Sequence, residues 1–524
     1  VEQTARLIAT ASRLPEPADV GRLAAGVAWI EIRADRAGEL PEQEVRALLK
    51  GFDGGLVYTL RSRAEGGDGP DDPRARAEAL TAAGARDDLW NLIDLEAERD
   101  LHPSVLDVID PSRRILSWHG PPTGPEALEE RLATMERTPA RFYKLIPAAV
   151  RPGEELAPLL LLEELAADAG APREDVIAFA SGPAGLWTRL VAPRLGAPVV
   201  FGALPGDAPG APGQPTVDRL VADYGLPALP PVESLFGVIG RPVAHSLSPR
   251  LHNRAYRDLG VPALYLAFHA EHFGDFWIEV VESGILDRLG MPLRGLSVTA
   301  PFKDAALAVA GAPSPRTGAV GAANTLVLSD GVWEAESTDP EGVVLPLRNL
   351  GVEIEGAEAV VIGAGGAGRA AVIGLRAAGA RVTLVNRSAE RGRQVAEELG
   401  VPFVSFADLS ERGAGGYRIV VQATPLGRGV DDPLPLDPET LDPDAVVVDM
   451  VYTERETPLV EVTRRAGRLA IGGREVLLFQ GLEQFRMMTG RELPLDLGRR
   501  TLGIDAPDRP REVAEAFGGE EDGS

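Results

Sequence analysis

The chain has 524 residues, enough for two or more domains, and its apolar and charged shares, 44% and 25%, are those of ordinary globular protein. Its 78 acidic residues outnumber 53 basic ones, for a net charge of -25, which argues against a nucleic-acid or anionic-membrane surface. There is no cysteine, which excludes disulfides, thiolate metal sites and cysteine nucleophiles, and no apolar run long enough to span a bilayer. A cytoplasmic protein with no metal, nucleic-acid or membrane partner is expected; the oligomeric state is left open.

In chain order, strand-like apolar runs appear at "RLIATAS", "GVAWIEIRAD", "GGLVYTLRS", "LWNLIDLEAE", "RRILSWHG", "RFYKLIPAA", "DVIAFASG" and "APVVFGAL". Stretches of helical character such as "PEALEERLATMERTP" separate most of them. Eight strands alternating with helices is the pattern of a (β/α)8 barrel, although an open doubly wound sheet has the same alternation. The Pro-rich "YGLPALPPVES" reads as a linker and places a boundary near Pro230. A mixed α/β segment follows, then "GAEAVVIGAGGAGRAAVIGLRAAGARVTLVNRS", which reads strand, glycine turn, helix, strand. The acidic, Gly-rich end "FGGEEDGS" has the composition of a disordered tail.

Only three lysines occur, Lys50, Lys144 and Lys303. Almost every basic residue is arginine, so a lysine inside an apolar strand suggests chemistry that arginine cannot do. A buried lysine can lose its proton and form a Schiff base. Lys50 closes a helical stretch before Gly51 and is expected only to complement the helix dipole.

In a (β/α)8 barrel the reacting groups stand at the C-terminal strand ends. Here those ends carry Glu31, Arg33, Asp35, Arg61, Asp94, Glu96, His119, Lys144 and Ser181. Any one of them reads equally well as a solvated strand end; so many together are costly to desolvate without function. The motifs "EIRAD", "LRSRAEGG", "DLEAE", "SWHG", "YKL" and "APGQ" resemble type I 3-dehydroquinate dehydratase across most of residues 1–225. The resemblance implies that Lys144 forms the Schiff base, His119 moves the proton and Glu96 orients His119. Arg33, Arg61, Arg189, Glu31 and Gln214 would bind substrate. Gly210 stands where the family usually has serine, so one contact over the pocket is expected to be missing.

From Gly237, "GVIGRPVAHSLSPRLHN" holds Ser246 and Ser248, two hydroxyls that suit a carboxylate but also suit a helix start. With Thr299 and Lys303 of "LSVTAPFKD", Asn324 of "GAANTL", Asp339 of "ESTDPEG" and Gln480 of "GGREVLLFQ", the set resembles shikimate dehydrogenase over residues 235–505. Ala300, Ala323 and Pro340 depart from its usual residues. The resemblance implies a catalytic pair, Lys303 and Asp339, with Ser246, Ser248, Thr299, Asn324, Tyr452 and Gln480 around the substrate.

The glycine turn implies a dinucleotide, with the pyrophosphate against Gly363, Gly365, Gly366 and Ala367 at a helix N-terminus. The following strand ends in Asn386, Arg387 and Ser388, with Arg391 a turn later, where an NAD site usually has an acidic residue. Arginine there favours a 2′-phosphate, hence NADP. Thr424, Met450 and Gly473 are further contacts implied by the resemblance.

The expected architecture is therefore α/β throughout. A TIM barrel spans 1–228, a substrate lobe 234–338 completed by 474–505, a Rossmann NADP lobe 339–473, and a tail 506–524. The expected function is dehydration of 3-dehydroquinate followed by NADPH-dependent reduction to shikimate. The alternatives are a second half that acts on quinate, or a non-catalytic regulatory protein built from the same domains.

Overall fold

All eight apolar runs of the N-terminal half form parallel strands: β1 (Arg6–Ala11), β2 (Val27–Arg33), β3 (Gly55–Thr59), β4 (Leu92–Glu96), β5 (Arg114–Gly120), β6 (Phe142–Pro147), β7 (Val176–Ala178) and β8 (Val199–Ala203). The computed structural model describes residues 4–505 except 25, 212, 430, 431 and 454. The acidic tail expected to be disordered lies outside the described residues. Two units make up the chain, Val1–Arg294 and Gly295–Ser524.

The first unit is built on the eight-stranded sheet, in the order β7-β6-β5-β4-β3-β2-β1-β8. β1 pairs with both β2 and β8, which curls the sheet into a barrel whose two end strands are the short β7 and β8. Period-two alternation sorts the side chains. In β4, Ile93 and Leu95 belong to the apolar core, while Asp94 and Glu96 meet Arg61 and the Ser62 amide from the turn after β3. The glycine after the helix Glu42–Lys50 caps it, with Lys50 in the last turn, as its dipole role requires.

The Pro-rich stretch leads into β9 (Ser234–Gly240), which pairs in parallel with β10 (Ala263–His269) across the helix Ser248–Leu259. This segment is packed on the barrel. Asp223, fully buried at the end of the last barrel helix, accepts from Arg219 at 2.8 Å and Arg250 at 2.7 Å. Asn253 donates to the Asp223 carbonyl, and the Trp187 ring stands edge-on to Phe268, 5.3 Å between centroids. The stretch read as a linker is thus the start of a close joint.

The second unit begins inside β11 (Leu293–Val298), which runs antiparallel to β13 (Thr325–Ser329). β13 continues antiparallel to β14 (Val332–Glu336), with the two-residue β12 (Ala312–Pro313) alongside. A second sheet follows: β15 (Glu358–Ile362), β16 (Arg381–Asn386), β17 (Phe403–Ser405), β18 (Ile419–Gln422), β19 (Val446–Asp449) and β20 (Leu469–Ile471). Its order, β17-β16-β15-β18-β19-β20, reverses beside β15, the dinucleotide-binding arrangement. Its central strands β15, β18 and β19 are Val-rich and buried on both faces, as an all-parallel sheet requires. The expected α/β architecture is what the chain adopts.

Candidate active site

Lys144 lies in the middle of β6 and is 4% exposed. Its Nζ is 3.2 Å from Asp94 Oδ2 and 3.9 Å from Glu31 Oε1, and 4.3 Å above the Phe201 ring. Glu31 is fixed by hydroxyls from two neighbouring strands, Thr10 at 2.7 Å and Thr59 at 2.8 Å. Asp94 also takes Arg61 at 2.9 Å and Ser117 at 2.5 Å. Burial raises the Asp94 carboxyl, but the Arg61 and Lys144 charges outweigh it and hold the group down at about 2. The lysine thus stands between two carboxylates.

His119 ends β5, where Nδ1 is 3.0 Å from Glu65 Oε2, and its backbone N–H donates to the same oxygen at 3.1 Å. This corrects the assignment of Glu96. Glu96 sits a strand end deeper, where Oε1 accepts from the Ser62 amide at 2.8 Å and Oε2 is 3.4 Å from Arg76. β4 ends too early for Glu96 to pass Arg61 and reach the imidazole. The turn after β3, Ser62 to Gly66, instead carries Glu65 across. Sequence reasoning missed Glu65, although it lies inside the quoted "LRSRAEGG". Burial, then the Arg61, Lys144 and Arg33 charges, keep the His119 ring well below its ordinary range, so it is neutral. Burial pushes Glu65 up to about 7 against the pull of Arg61.

The expected substrate arginines divide. Arg61 is spent on Glu65, Asp94 and Ser117. Arg33 grips Asp35 with two bonds, at 2.8 and 2.7 Å. Arg189 is buried against Phe179, donates once to the Phe201 carbonyl and leaves Nε without a partner; burial lowers it to about 10. Arg189 is the cation with donor capacity to spare. Gly210 compensates for its missing side chain with backbone: its N–H donates to Gln214 at 2.9 Å and its carbonyl accepts from Arg33 at 3.2 Å. A Cβ there would stand 2.8 Å from Thr10, so the loop has closed over the space a serine would need. A cavity of about 520 Å³, lined by Glu65, Trp118, His119 and Ser181 among others, opens above His119.

Ser246 and Ser248 also belong to the first unit, both buried, with the Ser248 amide donating to Ser246 Oγ at 3.3 Å. In the second unit Lys303, at the start of its helix, is ion-paired to Asp339. Asp339 opens the helix Asp339–Asn349 and accepts from Asn324 Nδ2 at 2.8 Å. Asn324 is held in turn: its Oδ1 accepts from the Thr338 amide at 2.8 Å, and Gln480 Oε1 lies 3.5 Å from its Nδ2. Gln484, one turn beyond Gln480, donates to the Asn324 carbonyl at 3.3 Å and accepts from Ser297 at 2.9 Å. Thr299, half-buried, accepts the Phe302 amide at its carbonyl.

The glycine turn is shaped for a phosphate. Gly363 has φ +119° and leaves no room for a Cβ beside Ala423, whereas Gly365 and Gly366 face open space. Ala367 follows them in the first turn of the helix Gly366–Ala377. The third glycine, Gly368, was missed although its spacing signals it; a Cβ there would lie 1.9 Å from the Gly363 carbonyl oxygen. Asn386 anchors the turn by accepting from the Ala364 amide at 3.2 Å, and Ser388 caps the next helix. Arg387 and Arg391 project into solvent, neither with a carboxylate partner among the described residues. Thr424 is tied to Gln422 at 2.9 Å, and Met450 packs on the sheet core. Tyr452 and Gly473 line a separate cavity of about 510 Å³.

Models of known families match in three places: type I 3-dehydroquinase at residues 9–228, the shikimate dehydrogenase substrate binding domain at 238–326, and shikimate / quinate 5-dehydrogenase at 346–425. The bifunctional 3-dehydroquinate dehydratase/shikimate dehydrogenase of Arabidopsis thaliana, a chloroplastic protein, is 28% identical over 493 residues, 90% of this chain and 79% of its own length. The NADP(+) shikimate dehydrogenase of Methanothrix thermoacetophila is 37% identical, over 50% of this chain and 94% of its own. Among solved structures, the Thermus thermophilus shikimate 5-dehydrogenase in complex with NADP(H) and shikimate is 32% identical over 51% of this chain and 98% of its own, with TM-score 0.46. The chain belongs to the shikimate dehydrogenase family in its second half and carries a type I 3-dehydroquinase domain ahead of it.

Proposed function

We propose that the chain converts 3-dehydroquinate to 3-dehydroshikimate at Lys144 and reduces that product to shikimate at Lys303. The observation that carries this reading is a buried lysine between Asp94 and Glu31 with His119, bonded to Glu65, at the end of the adjoining strand. The Lys144 amine adds to the substrate ketone, whose oxygen takes one proton from the nitrogen and one from solvent and leaves as water, giving an iminium whose positive charge Asp94 and Glu31 balance. His119 Nε2 takes a proton from the neighbouring carbon, and the electron pair passes to the iminium nitrogen. The same imidazolium returns its proton to the hydroxyl that departs as water, and hydrolysis releases the enone and the lysine. Arg189 binds the substrate carboxylate, while Arg61 and Arg33 hold the carboxylates around it.

In the second half, Gly365, Gly366 and Ala367 would hold the pyrophosphate, and Arg387 and Arg391 the 2′-phosphate, of NADPH, which would supply the hydride. Lys303 delivers the proton to the carbonyl oxygen; Asp339 keeps it in place, and Asn324 keeps Asp339. Thr299 and Gln480 bind the ring hydroxyls. The domain limits follow at 1–228, 234–338 with 474–505, and 339–473. Among the described residues no helix is long and apolar enough to cross a membrane. With its acidity and lack of cysteine, the chain is assigned to the cytoplasm.

The test is incubation with 3-dehydroquinate and NADPH. Absorbance of the conjugated product should rise, then fall as NADPH is consumed with shikimate appearing. Enone that accumulates without cofactor use, or faster oxidation of quinate than of shikimate in the reverse direction, would refute the second half of the reading.

A further inference from the structure

The cavity over His119 contains charge that this chemistry does not use. Arg99, three residues beyond β4, reaches back so that Nη1 is 3.2 Å from Glu65 Oε1 and 3.7 Å from Glu96 Oε2. Glu65 therefore lies between two guanidiniums, Arg61 on the barrel side, 3.0 Å from Oε2, and Arg99 on the cavity side. Arg99 also stands 3.9 Å from Glu98, whose other oxygen accepts from Arg131 at 2.7 Å. Arg131 lies over the Trp118 ring at 4.3 Å, next to His119. A run of ion pairs thus connects the rim of the cavity to the base.

We propose that Arg99 is a positioning residue of the dehydration, holding Glu65 ionised so that His119 keeps its proton on Nδ1 and presents a bare Nε2 to the substrate. This rests on His119 being the base. The tautomer decides the matter: a carboxylate accepts the Nδ1 proton, whereas a protonated Glu65 donates to Nδ1 and forces the ring proton onto Nε2, where it blocks the reaction. Glu65 is only 2% exposed, and Glu96 and Asp94 from β4 push its carboxyl up, as burial does. Arg61 opposes them but is shared with Asp94, Glu96 and Ser117. Lys144 from β6 and Arg33 from β2 act on His119, keeping the ring neutral. Arg99 has its nearest partner in Glu65 and adds a second positive charge on the side of that carboxyl away from Arg61.

The test uses the full chain. In Arg99→Met the acid limb of kcat/KM for 3-dehydroquinate should move up by roughly one to two pH units, with the rate recovering at high pH. Arg99→Lys should restore most of the shift, and reduction of supplied 3-dehydroshikimate should be unchanged, which reports an intact fold. An unmoved limb, or an equal loss at every pH, overturns the proposal. Histidine NMR titration of His119 in the same variants reads the shift without turnover. A wild-type chain that fails to dehydrate would refute the base assignment, whereas an unmoved His119 midpoint would refute the role of Arg99 on its own.

Discussion

Lys144→Met removes the amine and one member of a buried charge cluster, so it perturbs chemistry and stability together. Truncating one partner of a buried ion pair costs about 3–5 kcal/mol because the other charge stays behind. Here the low end applies: Asp94 keeps Arg61 at 2.9 Å and Ser117 at 2.5 Å, and Glu31 keeps Thr10 and Thr59. About 3 kcal/mol in a barrel of this size lowers its melting temperature by roughly 6–12 °C. Lys144→Arg preserves the charge and instead pays about 1–3 kcal/mol for crowding against Phe201, 4.3 Å from the present Nζ. Neither variant can form an imine, so dehydration should fall at least about 10⁴-fold in both. The assays are product absorbance, melting by tryptophan fluorescence, and intact mass after borohydride is added with substrate. Wild type should gain one reduced adduct on Lys144, the variants none, while reduction of 3-dehydroshikimate continues in all three. An adduct on another residue, or a Lys144→Arg enzyme within tenfold of wild type, would refute the Schiff-base assignment. A Lys144→Met chain that melts with wild type would refute the charge cluster.

Arg387→Asp should narrow or invert the preference for NADPH over NADH, read from kcat/KM for each; equal use of both by the wild type would remove the basis for the NADP assignment. Gly368→Ala places a Cβ 1.9 Å from the Gly363 carbonyl oxygen, so cofactor affinity should fall at least about tenfold by titration while dehydration is spared. Glu155 is buried, with Oε2 unpartnered, and burial raises its carboxyl to about 7. Its folded value lies above the unfolded one, so wild-type stability declines as pH rises from about 4.5 to 7 and is then level. Glu155→Gln should therefore stabilise the barrel at pH 8 by up to about 3 kcal/mol and hardly at all at pH 4.5; equal stabilisation at both would show that charge is not the cause.

The elements were legible wherever the signal is local. Eight apolar runs became eight strands because a parallel barrel buries its strands on both faces and so writes them as continuous apolar stretches. The glycine turn of β15 was legible because a pyrophosphate needs backbone approach at one place in a strand-turn-helix unit, and Gly368 was missed only by stopping the pattern one glycine short. Lys144 and Lys303 stood out because arginine replaces lysine nearly everywhere else in this chain.

By itself the sequence determined which residue types stand at which strand ends: Lys144, His119 and the surrounding carboxylates and arginines, then Lys303, Asp339 and Asn324. The tertiary structure alone decided which of them meet. Glu65 and Glu96 are both acidic and both near the barrel mouth, and only the path of the turn after β3 brings Glu65, not Glu96, onto His119. The same holds for Arg61, which looks like a substrate arginine in sequence but has its donors consumed by Glu65, Asp94 and Ser117. It holds also for the Pro-rich stretch near Pro230, whose composition reads as a linker although Asp223, Arg250 and Trp187 lock the segments on either side of it together. Composition and period report local backbone preference and the face a residue presents. Pairing between groups thirty or more positions apart depends on register, loop path and the need to satisfy each buried charge, and those are settled only when the chain is folded.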